Sequence, residues 1–321
     1  MGPPPSKDTY DAHLEELSPL QTEAGKTLDM MRLLMRWKVN NPGRVPPALK
    51  AGFITALRAT APLRMLPDFI IIGAQRAGST SLFNYLAQHP DISPAWRKEI
   101  HFFDKSNYSR GLTWYRSHFP MSANRTIRRL QGRNLVTGEA TPAYLMDPRV
   151  PQRIHHMLPD VKLLIALRNP IDRAFSQYRR NRAMGWEDRS FREAIELEPS
   201  RLAAERRKHG TDDAFQQFSH VHHSYLLRGH YAEQIARWRS RFPSERIYIV
   251  CSEEMYSSTH RIIDDVFRFL GVRGIELPGY TRFNASESAE LDPDLRAELA
   301  RYFDPHNKQL YELYGRDLGW I

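Results

Sequence analysis

The stretch Phe69–Leu82, FIIIGAQRAGSTSL, decides how this chain is read. Phe69, Ile70, Ile71 and Ile72 form an unbroken apolar run that stops at Gly73, as a strand buried on both faces does. Gly78, Ser79, Thr80 and Ser81 follow in a short loop, and Leu82, Phe83, Leu86 and Ala87 then recur at helical spacing. A buried strand, a tight loop and a helix start make an anion site. The first amides of a helix lack partners inside it, and the helix dipole adds positive charge there. The spacing GxxxxG before Ser79-Thr80 is close to the nucleotide P-loop, but that loop requires lysine where this chain has Ser79. The departure points to a phosphate-bearing ligand other than a magnesium nucleoside triphosphate.

Outward from this stretch, strands are expected at Phe69–Gly73, Leu135–Thr137, Lys162–Leu167 and Arg246–Val250. Helices are expected at 79–89, 149–158, 171–182, 190–198, 222–242, 259–270 and 292–315, with long loops at 200–221 and 272–291. Strands alternating with helices predict an α/β fold, a P-loop-like three-layer sandwich whose central parallel sheet is flanked by helices on both faces. Residues 67–321 form the main domain in this reading. Residues 1–66 are an extension: MGPPPSKD reads as disordered, and Thr27–Trp37 and Leu49–Arg58 as short amphipathic helices broken up by prolines 42, 46, 47 and 62. The extension is either an arm packed on the domain or a basic amphipathic surface for peripheral membrane contact.

A length of 321 residues and a hydrophobic content of 41% allow a sizeable core. The net charge of +9 suits an anionic ligand, but arginine is spread along the whole chain, so a solvated surface is expected rather than a nucleic-acid groove. The single cysteine, Cys251, excludes an intrachain disulfide and ends a strand-like run, which marks it as a buried thiol. No disulfide, no signal-peptide pattern and no apolar run of membrane-spanning length predict a cytoplasmic location.

Three further segments carry chemistry. In Lys162–Arg182, Arg168 follows a buried strand at its carboxyl end, where open α/β sheets bind ligands. Asn169-Pro170 turns the chain, and Arg173 and Ser176 fall early in the next helix. Arg168 offers a planar cation and Ser176 a hydroxyl to a phosphate, so two phosphate pockets are expected on neighbouring strands. In KEIHFFD (Lys98–Asp104), alternation puts Glu99 and His101 on one side, either as a base with its partner or as a surface ion pair. Glu139 and Tyr144 of GEATPAY follow another strand and either line an acceptor pocket or cap and pack. No metal site is expected, because His155-His156 and His222-His223 lack ligands at usable spacing.

These segments, in this order over 67–320, resemble the sulfotransferases that use 3′-phosphoadenosine 5′-phosphosulfate, in particular the heparan-sulfate branch and its bacterial relatives. The resemblance implies that Arg76, Ala77, Gly78, Ser79, Thr80 and Ser81 bind the 5′-phosphosulfate, that Arg168 and Ser176 bind the 3′-phosphate, and that Glu99 is the catalytic base. Arg76 and His101 then assist, and 3′-phosphoadenosine 5′-phosphate is the product. It implies sulfuryl transfer to a hydroxyl of a small-molecule or glycan acceptor: a carbohydrate, a glycolipid or a secondary metabolite. The chain departs from the pattern at Arg76, where lysine is usual, and at Ala140, which replaces a lysine of the heparan-sulfate enzymes. It also lacks their paired cysteines, and 280–291 stands where their GRxHP-type loop would be. A retired sulfotransferase fold that only binds, and a P-loop-type kinase, are the alternatives. Acceptor identity and oligomeric state are not legible.

Overall fold

The computed structural model describes residues 54–215, 217–281 and 290–320. The expected disorder of MGPPPSKD, the helix at Thr27–Trp37 and most of the unmatched loop 280–291 lie outside the described residues.

Four strands form one parallel sheet: β1 (Phe69–Gly73), β2 (Gly138–Ala140), β3 (Lys162–Leu167) and β4 (Ile247–Cys251). Their order is β2-β1-β3-β4. The chain leaves β1 toward β2 on one side and returns to β3 on the other, so a topological switch point lies between β1 and β3, where α/β sheets open a crevice at their carboxyl ends.

Alternation along each strand divides the core in two. Ile70, Ile72, Leu163, Ile165 and Leu167 face one layer with Phe102, Tyr231, Ile235 and Trp238. Phe69, Ile71, Leu164, Ala166 and Val250 face the other with Leu82, Phe83, Leu86, Ile263 and Phe267. Each Leu, Ile, Val or Phe among them contributes about 1.5–3 kcal/mol on removal from water. The three-layer expectation holds for this reason.

The α-helices lying wholly within the described residues are, in chain order, α1 (Ser79–Gln88), α2 (Gly111–Arg116), α3 (Ser122–Leu130), α4 (Val150–Met157), α5 (Pro170–Ala183), α6 (Phe191–Ala214), α7 (Tyr231–Arg239), α8 (Ser252–Ser257), α9 (Thr259–Leu270) and α10 (Pro293–Tyr314). Among the described residues no helix is long and apolar enough to cross a membrane. Ile54 onward packs on the domain: Ala61 and Met65 are buried, and the Met65 amide donates to the Pro120 carbonyl at 2.9 Å.

Several local expectations need correction. The second strand lies at Gly138–Ala140, not 135–137, where Val136 makes only an isolated bridge to Ile92. The expected loop at 200–221 is largely helix, since α6 continues through Pro199. Its carboxylates then serve the next segment: Glu198 accepts from the Leu226 and Leu227 amides, and Glu205 from those of Ser219 and His220. The expected helix 222–242 is split, with α7 starting at Tyr231. The break is at His230, whose ψ of 67° lies outside the helical range, and Gly229 before it packs so closely that a Cβ would sit 2.7 Å from the Phe303 ring and 2.9 Å from Pro170.

Candidate active site

The β1–α1 loop and the β3–α5 turn build the two sides of one cleft. Gly78 caps α1 at φ 82°, and α1 has neither a capping side chain nor an acidic residue in its first turn. A Cβ on Gly78 would come within 2.9 Å of Met255 and of the Tyr256 hydroxyl, so only glycine suits both the left-handed backbone and the close packing. On the other side, Asn169 Oδ1 accepts from the Ile171 amide at 3.0 Å and Pro170 occupies the first turn, which starts α5 directly after β3. Arg168 is left at the strand end, its carbonyl accepting from the Tyr231 hydroxyl at 2.9 Å.

Arg76 Nε donates to Ser176 Oγ at 3.1 Å and so joins the two sides. A single cavity of about 380 Å³ is lined by Arg76, Gly78, Ser79, Thr80, Glu99, His101, Arg168 and Ser176 together. Eight of the expected site residues therefore share one cleft. Ala77 and Ser81 do not line it; both are buried behind the loop, where Ala77 accepts from Ser252 Oγ at 2.5 Å and Ser81 Oγ lies 3.1 Å from the Tyr256 hydroxyl. Arg173 also turns inward, donating to Gln177 and to the Tyr225 carbonyl.

The strap Lys98–Asp104 crosses the cleft. Its Glu99 amide donates to the Ala140 carbonyl at 2.8 Å, and its Phe102 amide to the Tyr144 hydroxyl at 2.9 Å. Glu139 is fully buried and accepts from Tyr115 at 2.7 Å and Thr141 at 2.6 Å. Burial pushes its carboxyl up to about 7 against those hydrogen bonds. Glu139 and Tyr144 thus support the strap from beneath, and the packing alternative holds for both. Arg76, Glu99 and His101 are the non-glycine residues with positive φ among the described ones, at 66°, 59° and 52°. Such a backbone costs on the order of 1–3 kcal/mol per residue and collects where function requires it.

His101 sits between two carboxylates, 2.7 Å from Asp104 and 3.9 Å from Glu99. Burial opposes its charge, but the hydrogen bonds to Asp104 and Glu99 outweigh burial and hold the imidazole up at about 9. His101, and after it Lys98, hold Glu99 down at about 2 despite partial burial. The stabilisation from charged His101 is complete below about pH 6.5 and lost as pH rises through about 9; that from Glu99 is complete above about 4.5 and lost as pH falls through about 2. The melting temperature of the wild type is expected to fall toward that of His101→Gln as pH rises from 6.5 to 9. A gap that stays constant across this window would remove the linkage.

Two site residues escaped the sequence reading. Lys98 Nζ donates to Thr80 Oγ1 at 2.8 Å and to Glu99 Oε1 at 3.4 Å, bridging the anion loop and the carboxylate. Burial lowers its pKa, with Arg180 and Arg76 adding to the effect and Glu99 opposing it. Arg180 lines the same cavity. Its place one turn beyond Ser176 on α5 was a usable signal. Lys105, Met146, Trp186, Phe215, His222 and Arg228 also line the cleft. The Trp186 and His222 rings lie 4.2 Å apart, and burial followed by the charge of Arg228 holds His222 down at about 4.

Elsewhere, Cys251 is buried, and burial with the neighbouring Glu253 pushes its thiol up to about 12, so it is an inert side chain. His230, Glu233 and His306 bring possible ligand atoms within 4.8 Å of one another, a grouping the sequence reading did not find. The two imidazoles stack at 3.8 Å with planes 12° apart, so their in-plane lone pairs do not converge on one point.

The family described as the sulfotransferase domain matches residues 66–284. The chain is similar to heparan sulfate glucosamine 3-O-sulfotransferase 6 of Mus musculus, 29% identical over 87% of this chain and 86% of that protein. It is also similar to membrane-associated sulfotransferase kil1 of Dictyostelium discoideum, 26% identical over 88% of this chain and 72% of that one. Among solved structures, a sulfotransferase from Alicyclobacillus acidocaldarius aligns with a TM-score of 0.61 at 33% identity, covering 80% of this chain and 99% of its own.

Proposed function

Because the chain belongs to the sulfotransferase domain family, we propose that its cleft binds 3′-phosphoadenosine 5′-phosphosulfate and passes the sulfuryl group to a hydroxyl of a carbohydrate-type acceptor. The observation that carries this reading is the hydrogen bond from Arg76 to Ser176. It closes the β1 loop onto the helix that follows β3. A nucleotide with an anionic group at each end requires two anion pockets in one cleft. The amides of Gly78–Thr80 with Arg76 suit the 5′ end, and Arg168 with Ser176 the 3′ end.

In the proposed reaction the acceptor oxygen bonds to sulfur while the bond from sulfur to the bridging oxygen breaks. The electron pair of that bond stays on the bridging oxygen, which becomes a phosphate oxygen of 3′-phosphoadenosine 5′-phosphate. The acceptor proton passes to Glu99. His101, fixed by Asp104, orients the carboxylate. A pKa near 2 describes Glu99 with both His101 and Lys98 against it. When Lys98 turns to the anionic donor, Glu99 loses one of these cations and becomes a stronger base.

Lys98 answers the departure at Arg76. Arginine keeps its proton at neutral pH and is confined here by Ser176. Lys98 reaches the same loop through Thr80 and carries a compact charge on a flexible stem. It donates a charge-assisted hydrogen bond to the leaving oxygen and retains its proton throughout. Preorganised donors of this kind are worth about 100- to 1,000-fold in turnover. Lys98→Met is expected to lose about that much in turnover and to weaken product-nucleotide binding by a much smaller factor, and Lys98→Arg to recover only part of the turnover. Wild-type turnover in Lys98→Met would remove Lys98 from the reaction.

The mouse relative's name specifies a glucosamine acceptor. For this chain we extend only the class, a sugar hydroxyl, for which the Trp186 ring with His222 beside it offers an aromatic wall. The test is purified protein, isotopically labelled donor and an acceptor panel of neutral glycans, acidic glycans and glycolipids, read by mass spectrometry. Label on a hydroxyl supports the reading. Tight binding of the product nucleotide with no labelled product from any acceptor supports the retired-fold alternative instead.

A further inference from the structure

The two longest runs of this chain without Asp or Glu are residues 30–67 and 105–138, each carrying seven Lys and Arg. The fold brings their described parts together on the side of the domain formed by α2 and α3. Arg64 pairs with Met121 as an antiparallel bridge, Arg64 NH1 donates to the Phe119 carbonyl at 2.8 Å, and Arg116 Nε donates to the Arg64 carbonyl at 3.1 Å. Some arginines of this face are used in structure, since Arg125 pairs with Asp68 and Arg133 with Asp91. Among the described residues, Arg58, Arg110, Arg128 and Arg129 are not paired with a carboxylate. Arg58 and Arg110 flank a shallow cleft with Thr113 and Trp114, and the Arg110 guanidinium lies 5.2 Å from the Trp114 ring centre.

The same two segments carry the three most exposed large apolar side chains among the described residues. They are Leu63 at 62%, Ile127 at 53% and Leu130 at 85%. On α3 the order Ile127-Arg128-Arg129-Leu130 puts both apolar residues on one stripe, three apart, with the arginines beside it. We infer that this face, built from Arg58, Leu63, Arg110, Trp114 and α3, docks onto an anionic phospholipid surface.

Charge complementarity selects a polyanion, and the apolar stripe selects which kind. A nucleic acid or a soluble sulfated glycan offers phosphate or sulfate but no apolar phase for Leu130 and Ile127. A bilayer interface offers both, with lipid phosphates for the arginines and acyl chains within reach of the leucine and isoleucine. Trp114 belongs at such an interface, where an aromatic ring is apolar on its faces and polar at its N–H. The Trp114 ring also stacks 5.9 Å from that of Phe102 in the strap that holds Glu99 and His101, so the docking face adjoins the acceptor side of the cleft.

The experiment is sedimentation of the full chain with vesicles of phosphatidylcholine alone or with phosphatidylglycerol added. Wild type is expected to partition onto the anionic vesicles at least about 10-fold more than onto the neutral ones, and to be released by salt. Arg128→Gln with Arg129→Gln, and separately Ile127→Ser with Leu130→Ser, are each expected to lower that partitioning about 10-fold, with circular dichroism and product-nucleotide binding unchanged. Wild type that stays in the supernatant overturns the inference. So does full partitioning of the Ile127/Leu130 variant, which would make the face a general polyanion surface, and so does full partitioning of both variants, which would move the contact elsewhere on the chain. None of these outcomes bears on the transferase reading, because no residue changed lies in the catalytic cleft.

Discussion

Glu99→Gln is expected to lose between about 100- and 10,000-fold in turnover while its affinity for the product nucleotide changes little. The size of the loss follows from what the amide lacks. Glutamine keeps the shape and can still accept a hydrogen bond from His101 or Lys98, but it cannot take up the acceptor proton. Binding is expected to be spared because the carboxylate is linked to the β1–α1 loop through Lys98 rather than directly. Removing an anion from beside Lys98 also frees that cation, so donor-product binding is expected to tighten slightly rather than weaken. The measurement is single-turnover sulfuryl transfer beside calorimetric binding. A variant that turns over at the wild-type rate shows that some other group takes the proton.

Arg168→Ala produces the opposite split. It removes a planar cation from the carboxyl end of β3, and a charge-assisted hydrogen bond of this kind is worth about 1.5–3 kcal/mol, or roughly 10- to 150-fold in affinity. Product-nucleotide binding is expected to fall by that factor. The single-turnover rate at saturating donor is expected to stay within a few-fold of wild type, since in the proposed binding mode Arg168 meets the 3′-phosphate and not the transferring group. The loss is expected to be much smaller for adenosine 5′-phosphate, which lacks the second phosphate. An equal loss for both nucleotides would show that Arg168 acts on the fold or on the 5′ end. The main-chain role of Arg168, its carbonyl held by Tyr231, survives the substitution and helps keep the variant folded.

The parts of the fold legible in the sequence are those where burial leaves one option. β1 and β3 read correctly because both faces of each strand are covered, which forces the runs FIII and LLIAL. β2 was misplaced because its own residues, Gly138, Glu139 and Ala140, have little strand preference. They are held as a strand by pairing with Phe69–Ile71 and by the hydrogen bonds that satisfy buried Glu139, neither of which is local information. The break before α7 lies at His230, beside which Gly229 packs against Phe303 of α10, a contact across the chain.

The site divides in the same way. Arg76, Gly78, Arg168 and Ser176 follow strand ends, so the sheet topology alone brings them together. Glu99 and His101 do share a side, but through left-handed backbone at both residues rather than the alternation of an extended strand. That same irregularity turns Lys98 inward onto Thr80, where alternation would have set it apart from Glu99. His222 reads from the sequence as a satisfied or exposed imidazole, and it lines the cleft because α6 and the π-helical turn Ser219–His223 carry it there.

The proposed transfer requires one nucleotide to join the two sides of the crevice between β1 and β3. A crystal structure of the chain with bound 3′-phosphoadenosine 5′-phosphate measures this directly. The 5′-phosphate is predicted on the amides of Gly78 to Thr80 beside Arg76 and Lys98, with the 3′-phosphate on Arg168 and Ser176. A nucleotide bound outside this crevice, or one whose 3′-phosphate projects into solvent while Arg168 and Ser176 keep other partners, would contradict it.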